Sequence, residues 1–434
     1  MATNDSLSVA IIGGGIGGLA TAHYLALGGA KVTVFEASNQ LGGLGTYFQY
    51  QDGFLEKFYH CMLPSDKHLL SLLDDLQLRQ DTYWKDSSFG IMSGGQLYAL
   101  NTPLELLRFS PLPFVDRLRV GFTGLWGSLR SASGLDDVTC EAWLTGLSGK
   151  RAFQRFWKPM LQSKFGDRYS AVPALWFWTR FNREKGAKKE RKGYLRGGYK
   201  RIADTLAKSL MGRGVDIRTD CPVGSLGLGD SATVQLATGE ALQFDRIVYS
   251  GPIALLPQLT GEDALGQAVA GLGPMPEMQG VINAVMLLKR GFSSHYWVAT
   301  TDESIPFQGI VESSTLLERS DTAGHHMIYL MNYVHQSDPL FAHSDEQILA
   351  AYIDGLKNLF PDFTDDDVVE ARVFRSPHVE PVYRIGYLKT QPPVELVDHK
   401  VYLTTSAQVY PQVTSWNGSV GLARDAARRI LAAA

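Results

Sequence analysis

The alternation of apolar runs with glycine pairs at the N-terminus predicts a strand, a helix and a second strand. Residues 7–12 are a short apolar run of the kind that forms a buried parallel strand. A glycine-rich turn follows at residues 13–18, and residues 19–26 have the composition of a helix that the glycine pair 28–29 ends. Residues 31–36 predict a second buried strand, which closes with an acidic residue. This order of elements is that of a βαβ unit in a parallel sheet.

Each part of this N-terminal unit has a role in binding a dinucleotide. Gly13 permits the tight turn, Gly15 lets a pyrophosphate approach the backbone, and Gly18 lets the helix pack closely on the strand. The free N–H groups and the dipole at the start of the helix stabilise phosphate charge. Glu36 is placed to accept hydrogen bonds from an adenosine ribose. Because all the parts occur in order, the sequence predicts a dinucleotide site rather than a glycine-rich turn that binds nothing.

The stretch that follows Glu36 resembles the E-A-x(4)-G-G-R motif of a flavoprotein superfamily that contains phytoene desaturases, protoporphyrinogen oxidases and flavin amine oxidases. In those families the second glycine pair, here Gly42 and Gly43, continues along the cofactor towards the flavin ring. The arginine that usually follows is replaced by Leu44, which removes a cationic donor near the cofactor. The resemblance implies that FAD, rather than NAD, is the primary cofactor.

A second FAD segment of the same superfamily resembles residues 192–223. There the backbone at the position of Val223 meets the adenine. The strand predicted at residues 245–250 resembles the D-x-V-V-x-T-x-P run that comes next in those families.

The C-terminus carries the resemblance as well. A strand at residues 400–406 and a helix at residues 417–431 resemble the unit that closes the flavin site, so Ser406, Asn417 and Val420 are expected to contact the cofactor. Many relatives carry Gly-Asp or Gly-Glu where this chain has a serine and an alanine. Residues 408–411 resemble a subgroup found beside glycan and lipid genes.

The resemblance implies an α/β fold with a split Rossmann-type FAD-binding domain and a discontinuous α+β substrate domain. We expect the FAD-binding domain to comprise residues 1–85, 193–270 and 395–434, and the substrate domain to comprise residues 86–192 and 271–394. Apolar runs at residues 281–288 and 326–331 predict strands in the second part of the substrate domain, whereas its first part is mainly helical.

Four residues are candidates for a role in catalysis. His60 follows a segment that runs beside the flavin in the superfamily, and its ordinary pKa suits an acid or base; a structural histidine is an equal alternative. Glu312 ends an apolar strand, where burial would raise its pKa and let it take a proton, unless it merely pairs with an arginine. Tyr333 and Trp416 belong to a set of aromatic residues that either line a cleft or fill the core, with Tyr296, Trp297 and Tyr383.

Two surface features leave alternatives open. Large apolar residues repeat at helical spacing between Phe114 and Leu129, with arginines nearby; this pattern fits either a helix that covers the substrate domain or a membrane-contact helix at a lipid-substrate entrance. A basic cluster from Arg180 through Arg201 is either a solvated loop or an attractor of anionic substrate or lipid headgroups.

The composition limits the classes of partner that we expect for this chain. A net charge of −3 gives no reason to expect nucleic acid, and the three distant cysteines have neither disulfide nor metal spacing, so we predict a cytoplasmic protein without a metal site. No segment is long and apolar enough to span a bilayer, which leaves a peripheral contact with the inner membrane face open. The oligomeric state and the electron acceptor are not written in the sequence.

The predicted function is FAD-dependent oxidation of a small organic substrate, either apolar or glycolipid-like, by removal of a hydride from a C–H bond. Two alternatives remain open. One is a non-redox flavoenzyme similar to UDP-galactopyranose mutase, and the other is a flavin-binding protein that has lost its chemistry.

Overall fold

A computed structural model describes residues 6–183, 190–300, 302 and 304–433 of the chain. The strands of these residues, numbered in chain order, are β1 Ser8–Ile12, β2 Lys31–Phe35, β3 Tyr47–Tyr50, β4 Gly53–Glu56, β5 Thr82–Asp86, β6 Phe89–Ser93, β7 Gln96–Ala99, β8 Arg191–Leu195, β9 Asp216–Arg218, β10 Val223–Leu228, β11 Ala232–Leu236, β12 Ala241–Phe244, β13 Arg246–Tyr249, β14 Met278–Leu288, β15 Trp297–Thr300, β16 Gly309–Glu312, β17 His326–His335, β18 Val368–Pro381, β19 Glu395–Val397 and β20 Val401–Leu403.

The α-helices of the same residues are α1 Ile16–Leu27, α2 Lys67–Asp75, α3 Pro103–Arg108, α4 Phe114–Leu129, α5 Cys140–Ser148, α6 Lys150–Ala152, α7 Lys158–Phe165, α8 Ala174–Arg183, α9 Gly198–Gly212, α10 Ala264–Gly271, α11 Asp345–Leu359, α12 Tyr387–Thr390 and α13 Trp416–Ala432. A π-helical turn, Phe153–Trp157, joins α6 to α7.

The first sheet has the strand order β19-β20-β13-β1-β2-β9 and is parallel except for β19 at its edge. Its strands come from three separate stretches of the chain, and their inward side chains, such as Val9, Ile11 and Val34, are fully buried. Helices α1, α9 and α13 contribute to the same core, which covers one face of the sheet. This is the split Rossmann-type sheet that the sequence predicts.

The second sheet has the order β18-β14-β17-β16-β15-β6-β7, and its neighbours are antiparallel except for β6 beside β15. Successive side chains of a strand point to opposite faces. On β14, Ile282 and Ala284 pack towards α11, whereas Val281 and Asn283 face the other way, into a cleft. This alternation decides which residues of the second sheet take part in the site.

A helical layer formed by α3 to α8 packs around an aromatic core that includes Phe153, Trp176 and Phe177. The α/β fold class with its second α+β part is therefore confirmed, and the pairing of β5 with β8 joins the chain at the two inner boundaries, near residues 85 and 193. The domain bounds themselves stay a prediction.

Candidate active site

The first glycine turn brings the backbone of β1 and α1 close together. Gly13 has a φ of +112°, which strongly favours glycine, and its N–H donates to the carbonyl of Phe35 at 2.8 Å. A Cβ on Gly18 would lie 2.0 Å from the carbonyl oxygen of Gly13, so any larger residue would force the helix away from the turn. Gly15 is the N-cap of α1 and offers no side-chain cap, which leaves the first N–H groups of the helix to an outside acceptor.

A second glycine run lies against the first. The N–H of Gly42 donates to the carbonyl of Gly14 at 2.9 Å, and Gly42 and Gly43 have φ values of +111° and +60°. A Cβ on Gly43 would come within 3.2 Å of the Cα of Gly15, so the two runs approach as only glycines allow. Leu44 follows, half-buried, with its side chain among those that line the cleft.

Glu36 closes this end of the cleft. Its Oε2 accepts a hydrogen bond from the N–H of Gly14 at 2.7 Å, and its Oε1 accepts from the N–H of Ser38 at 2.9 Å. Because backbone donors hold both oxygens, the carboxylate is fixed beside the glycine turn, and it is half-exposed to the cleft.

The C-terminal candidates have different positions. Ser406 and Asn417 line the cleft, although Oδ1 of Asn417 also accepts from the N–H groups of His68 and Leu69, which start α2. Val420 is fully buried in the core, away from the cleft.

Val223 does not line the cleft, in contrast to its expected contact with adenine. It begins β10 and packs against the core beneath that strand. Its neighbours Asp220 and Cys221 donate backbone hydrogen bonds to Ser38 and Glu36, so the chain before Val223 runs beside the acidic end of the cleft.

The cleft has a volume of about 1540 Å³ and runs from the glycine turns to the second sheet. Side chains from the second sheet, the helical layer and loops form its far end, among them Tyr59, Met160, Phe177, Trp297 and Val413. One end of the cleft is therefore made of backbone and the other mainly of large side chains.

His60 lies in the wall of the cleft between two aromatic rings. Its ring centroid is 4.8 Å from that of Tyr199 and 5.8 Å from that of Trp416. Nδ1 is 2.8 Å from the carbonyl oxygen of Phe58, which can only accept, so Nδ1 carries the proton and Nε2 is left as an acceptor. Burial lowers the pKa of His60 to about 4, so the imidazole is neutral near pH 7.

A carboxylate is buried directly behind His60. Glu56 accepts hydrogen bonds from the hydroxyl of Tyr194 and from the N–H of Tyr199, and burial raises its pKa. A separate cavity of about 10 Å³, the size of one water molecule, is lined by both Glu56 and His60.

Tyr333 also lines the cleft, with a buried ion pair beside it. Its hydroxyl is 3.1 Å from that of Tyr59, and Nζ of Lys164 is 4.4 Å from the centroid of its ring. Lys164 also forms an ion pair of 2.6 Å with Glu380, whose side chain is fully buried. Burial alone would lower the pKa of Lys164, but the Glu380 carboxylate raises it above its ordinary value.

Asn283 lines the cleft from β14. Its amide donates to the carbonyl oxygen of Lys57, and its Oδ1 is buried without a hydrogen-bond partner within the described residues. A buried acceptor of this kind fits a donor on a bound molecule.

Comparison with known proteins relates this chain to flavin-containing enzymes. The family model described as flavin containing amine oxidoreductase matches residues 16–431. The chain is similar to the 15-cis-phytoene desaturase of Glycine max, with 24% identity over 429 residues that cover 90% of this chain and 72% of that protein.

Among solved structures, it is similar to reduced UDP-galactopyranose mutase, with a TM-score of 0.77, 16% identity and coverage of 99% and 96% of the two chains. It is also similar to wild-type putrescine oxidase bound to putrescine, with a TM-score of 0.68, 18% identity and coverage of 98% and 100%. At these identities the solved structures show the fold.

The chain belongs to the flavin-containing amine oxidoreductase family. It is an FAD-dependent oxidoreductase, which confirms the predicted superfamily, cofactor and enzyme class. The glycine turns fit the group: Gly15, Gly17, Gly42 and Gly43 line the cleft without side chains, and the uncapped start of α1 suits a pyrophosphate. Glu36 fits the ribose. The individual contacts of these residues stay a prediction.

The structure places Glu312 away from the cleft, which corrects its prediction as a catalytic residue. Burial does raise its pKa, to about 8, but the side chain is not among those that line the cleft. On β16 the face of Val311 is the face of Trp297 and Tyr329, so alternation points Glu312 with Ile310 to the opposite side of the sheet. Its carboxylate therefore cannot reach a molecule in the cleft.

Of the five aromatic candidates, Tyr383 is the one that the structure places elsewhere. It is fully buried and packs with Tyr387 and Tyr410 in the helical layer. Tyr296, Trp297, Tyr333 and Trp416 do line the cleft of this flavoprotein.

The described part of the basic cluster is neutralised locally. From residue 191 onwards its five cations each pair with a carboxylate, namely Arg191 with Asp86, Lys192 with Glu190, Arg196 with Glu318, Lys200 with Asp204 and Arg201 with Asp81. Lys185, Lys188 and Lys189 lie outside the described residues. Pairing of this kind is typical of a solvated surface.

Four residues of this region have no signal that predicts them from the motifs alone, namely Tyr59, Lys164, Asn283 and Glu380. Tyr59 stands next to His60 in the chain, so a closer look at that segment would have found it. Lys164 and Glu380 are 216 residues apart, and nothing local in either segment indicates that they meet.

Proposed function

We propose that this flavoprotein removes a hydride from a C–H bond of an apolar organic substrate that lies at the aromatic end of the cleft. The observation that carries the proposal is the size and division of the cleft. A pocket for one small ligand measures about 300–1,000 Å³, whereas this cleft has about 1540 Å³. It therefore has room for a cofactor at the glycine end and a substrate at the aromatic end.

When bound, FAD supplies the hydride acceptor. The chain's own residues supply a dry, shaped chamber, because Tyr59, Trp297, Tyr333 and Trp416 form walls with few free polar groups. Exclusion of water and a fixed orientation of the reacting carbon are the contributions that such walls make.

His60 is the residue we assign to proton transfer. It lines the cleft, it is neutral near pH 7, and its Nε2 is an acceptor, so it is able to take a proton that leaves the substrate. Tyr333 and Trp416 position the substrate in this proposal.

A second candidate function has an observation in its favour. The cleft is lined by five cations, Lys57, Lys164, Arg180, Lys192 and Arg375. Cations are what the diphosphate of a nucleotide sugar would require. A non-redox mutase chemistry, similar to that named for the UDP-galactopyranose mutase structure, would use them. The pairing of Lys164 with Glu380 and of Lys192 with Glu190 favours the apolar substrate, because both charges are already balanced.

The test is an anaerobic screen of the purified, flavin-loaded protein. Apolar polyenes, amines and glycolipids are added in turn, and flavin absorbance is followed in the visible range. We expect an apolar reductant to bleach the flavin, with a slower rate when the transferred hydrogen is replaced by deuterium.

Two results would contradict the proposal. A UDP-sugar that binds and is isomerised by the reduced protein without net oxidation would establish the mutase. Bound flavin that none of the reductants bleaches, in a protein that dithionite does reduce, would indicate a binding protein without this chemistry.

A further inference from the structure

Helix α4 turns an apolar face to the solvent. Phe114, Leu118, Phe122, Leu125 and Leu129 follow one another every three or four residues, so they share one side of the helix. All five are exposed, whereas the buried side of the helix holds small or polar residues. A helix that covers a core turns its apolar side inward, whereas α4 turns its apolar side outward.

The exposure is large and concentrated. The side chains of Phe122, Leu125 and Leu129 are 55%, 61% and 66% exposed. Leu104 and Leu107 of the neighbouring helix α3, and Val115 and Trp126 of α4, extend the same surface. Nine of the sixteen exposed large apolar side chains in the described residues thus lie between residues 104 and 129. We call these nine the α3–α4 apolar face.

Exposed cations lie at the edges of the α3–α4 apolar face, and the acids of the two helices are held by hydrogen bonds. Glu105 of α3 accepts from the N–H groups of Asn101 and Thr102. Arg108, Arg119 and Arg130 are exposed at its edges. The acid of α4, Asp116, is buried and accepts hydrogen bonds from Arg119 and Arg151. Residues 120–129 contain no charged side chain. An apolar centre with a cationic rim is complementary to a bilayer with anionic headgroups.

We propose that the α3–α4 apolar face docks on the surface of a bilayer that contains anionic lipids. Helix α4 has 16 residues and is about 24 Å long, too short to cross a hydrocarbon core of about 30 Å. Among the residues that the structure describes, no helix has the length and hydropathy that a crossing needs. The helix lies in the interfacial plane, with its apolar side chains below the headgroups and its arginines among them.

The position of this face next to the cleft supports a bilayer as the occupant. On the inner side of α4, a Cβ on Gly127 would meet the ring of Phe181 at 2.8 Å, and Phe181 lines the cleft. Thr102 and Glu105, at the start of α3, line the cleft as well. An apolar compound dissolved in the bilayer therefore has a short path to the substrate end.

A second copy of the chain fits the same face less well. A symmetric pair would bring the arginine-containing rims of two copies together, and like charges repel across an interface. The stacked rings of Phe122 and Trp126, with centroids 6.1 Å apart, suit the interfacial zone of a bilayer, where aromatic residues are enriched.

The experiment is vesicle flotation of the full-length, flavin-loaded protein. The probes are vesicles of phosphatidylcholine alone and of equimolar phosphatidylcholine and phosphatidylglycerol. We expect the protein to float with the anionic vesicles and a triple variant, F122S/L125S/L129S, to bind them at least about tenfold more weakly. A control variant, M211S/I385S/L388S, removes three apolar side chains that are equally exposed elsewhere and should bind like the wild type.

Charge is tested separately. The variant R108Q/R130Q should weaken binding to the anionic vesicles severalfold, and added salt should weaken binding of the wild type in the same way. Flavin content and unfolding temperature show that each variant is folded, since the substituted side chains are exposed. No substrate is used, so the result does not depend on the proposed reaction.

Three outcomes would overturn the proposal. They are a wild-type protein that stays free of both kinds of vesicle, a triple variant that binds as well as the wild type, and a wild-type dimer that sedimentation shows to dissociate in the triple variant without any vesicle binding. The last outcome would assign the face to a second copy.

Discussion

The two ends of the cleft are built in different ways. The glycine end is made of backbone from residues 13–18, 36 and 42–43, which are close in the chain and held by hydrogen bonds such as Gly42 to Gly14. The aromatic end is made of side chains that come from the second sheet, the helical layer and loops far apart in the chain. At the glycine end an added Cβ can overlap backbone, as it would at Gly18, whereas a chamber of side chains changes its shape with each substitution. Cofactor and substrate specificity are therefore separable in this molecule.

The largest expected effect comes from adding one carbon at the glycine end. In Gly18→Ala the new Cβ would lie 2.0 Å from the carbonyl oxygen of Gly13, so helix and turn must separate. We expect loss of bound flavin and a loss of more than about 3 kcal/mol in the free energy of unfolding. Absorbance of the purified protein and denaturant unfolding measure both.

Gly146→Ala is the matched control, because nothing lies within 4 Å of the position that its Cβ would take. This substitution in α5 should keep the flavin and leave stability equal or slightly higher. Equal behaviour of the two variants would contradict the claim that the turn has no room for a Cβ at Gly18.

At the other end, the next largest effect is expected from breaking the buried ion pair. Lys164→Met leaves the Glu380 carboxylate buried without its cation, which should cost about 3–5 kcal/mol of unfolding free energy in urea with saturating FAD. The double variant K164M/E380L should recover most of this loss. Lys357→Met, which breaks an exposed pair with Asp365, should change little.

If Lys164→Met were as stable as the wild type, the ion pair between Lys164 and Glu380 would not stabilise the aromatic end of the cleft.

His60→Gln tests chemistry rather than stability. Since burial lowers the pKa of His60 to about 4, the fraction of neutral imidazole, and with it the rate of flavin reduction, should rise with pH through about 4 and then level off. The variant should lose this pH step and react about a hundredfold more slowly with an unchanged flavin spectrum. Stopped-flow measurement of the rate of flavin reduction between about pH 3.5 and pH 8 covers the titration of this histidine and tests both expectations.

His343→Gln, an exposed histidine, is the control and should behave as the wild type. A pH step that persists in His60→Gln would assign the proton transfer to another group.

The smallest effect is expected at Leu44. Leu44→Arg adds a cation beside the glycine turns, where relatives of the superfamily carry one, and should tighten FAD binding about tenfold, as measured by calorimetry of the apoprotein. Leu44→Met keeps the volume and should not change the affinity. Weaker binding by the arginine variant would mean that the cradle has no phosphate within reach of this position.

The same contrast explains what the sequence could predict. Gly13, Gly15, Gly18 and Glu36 lie within one βαβ unit, so their spacing can be recognised in the sequence. The split parallel sheet was predicted from the segments that resemble the flavoprotein superfamily. The aromatic end had no such motif. Lys164 and Glu380 meet only because α7 packs against the second sheet, which no local pattern encodes.

Glu312 shows a different reason for failure. The apolar run before it predicted burial correctly, and burial does raise its pKa. Which face of β16 points to the cleft depends on strand register, however, and a shift of one residue exchanges the faces. Sequence alternation alone does not contain that register.

The most direct test of the account is the visible absorption spectrum of the purified protein, recorded before and after denaturation, with the released cofactor identified by mass. The account predicts a yellow protein that releases one equivalent of FAD and that bleaches with anaerobic dithionite. A colourless protein that takes up no added FAD would contradict the assignment of the glycine end, and with it the division of the cleft on which the proposed reaction depends.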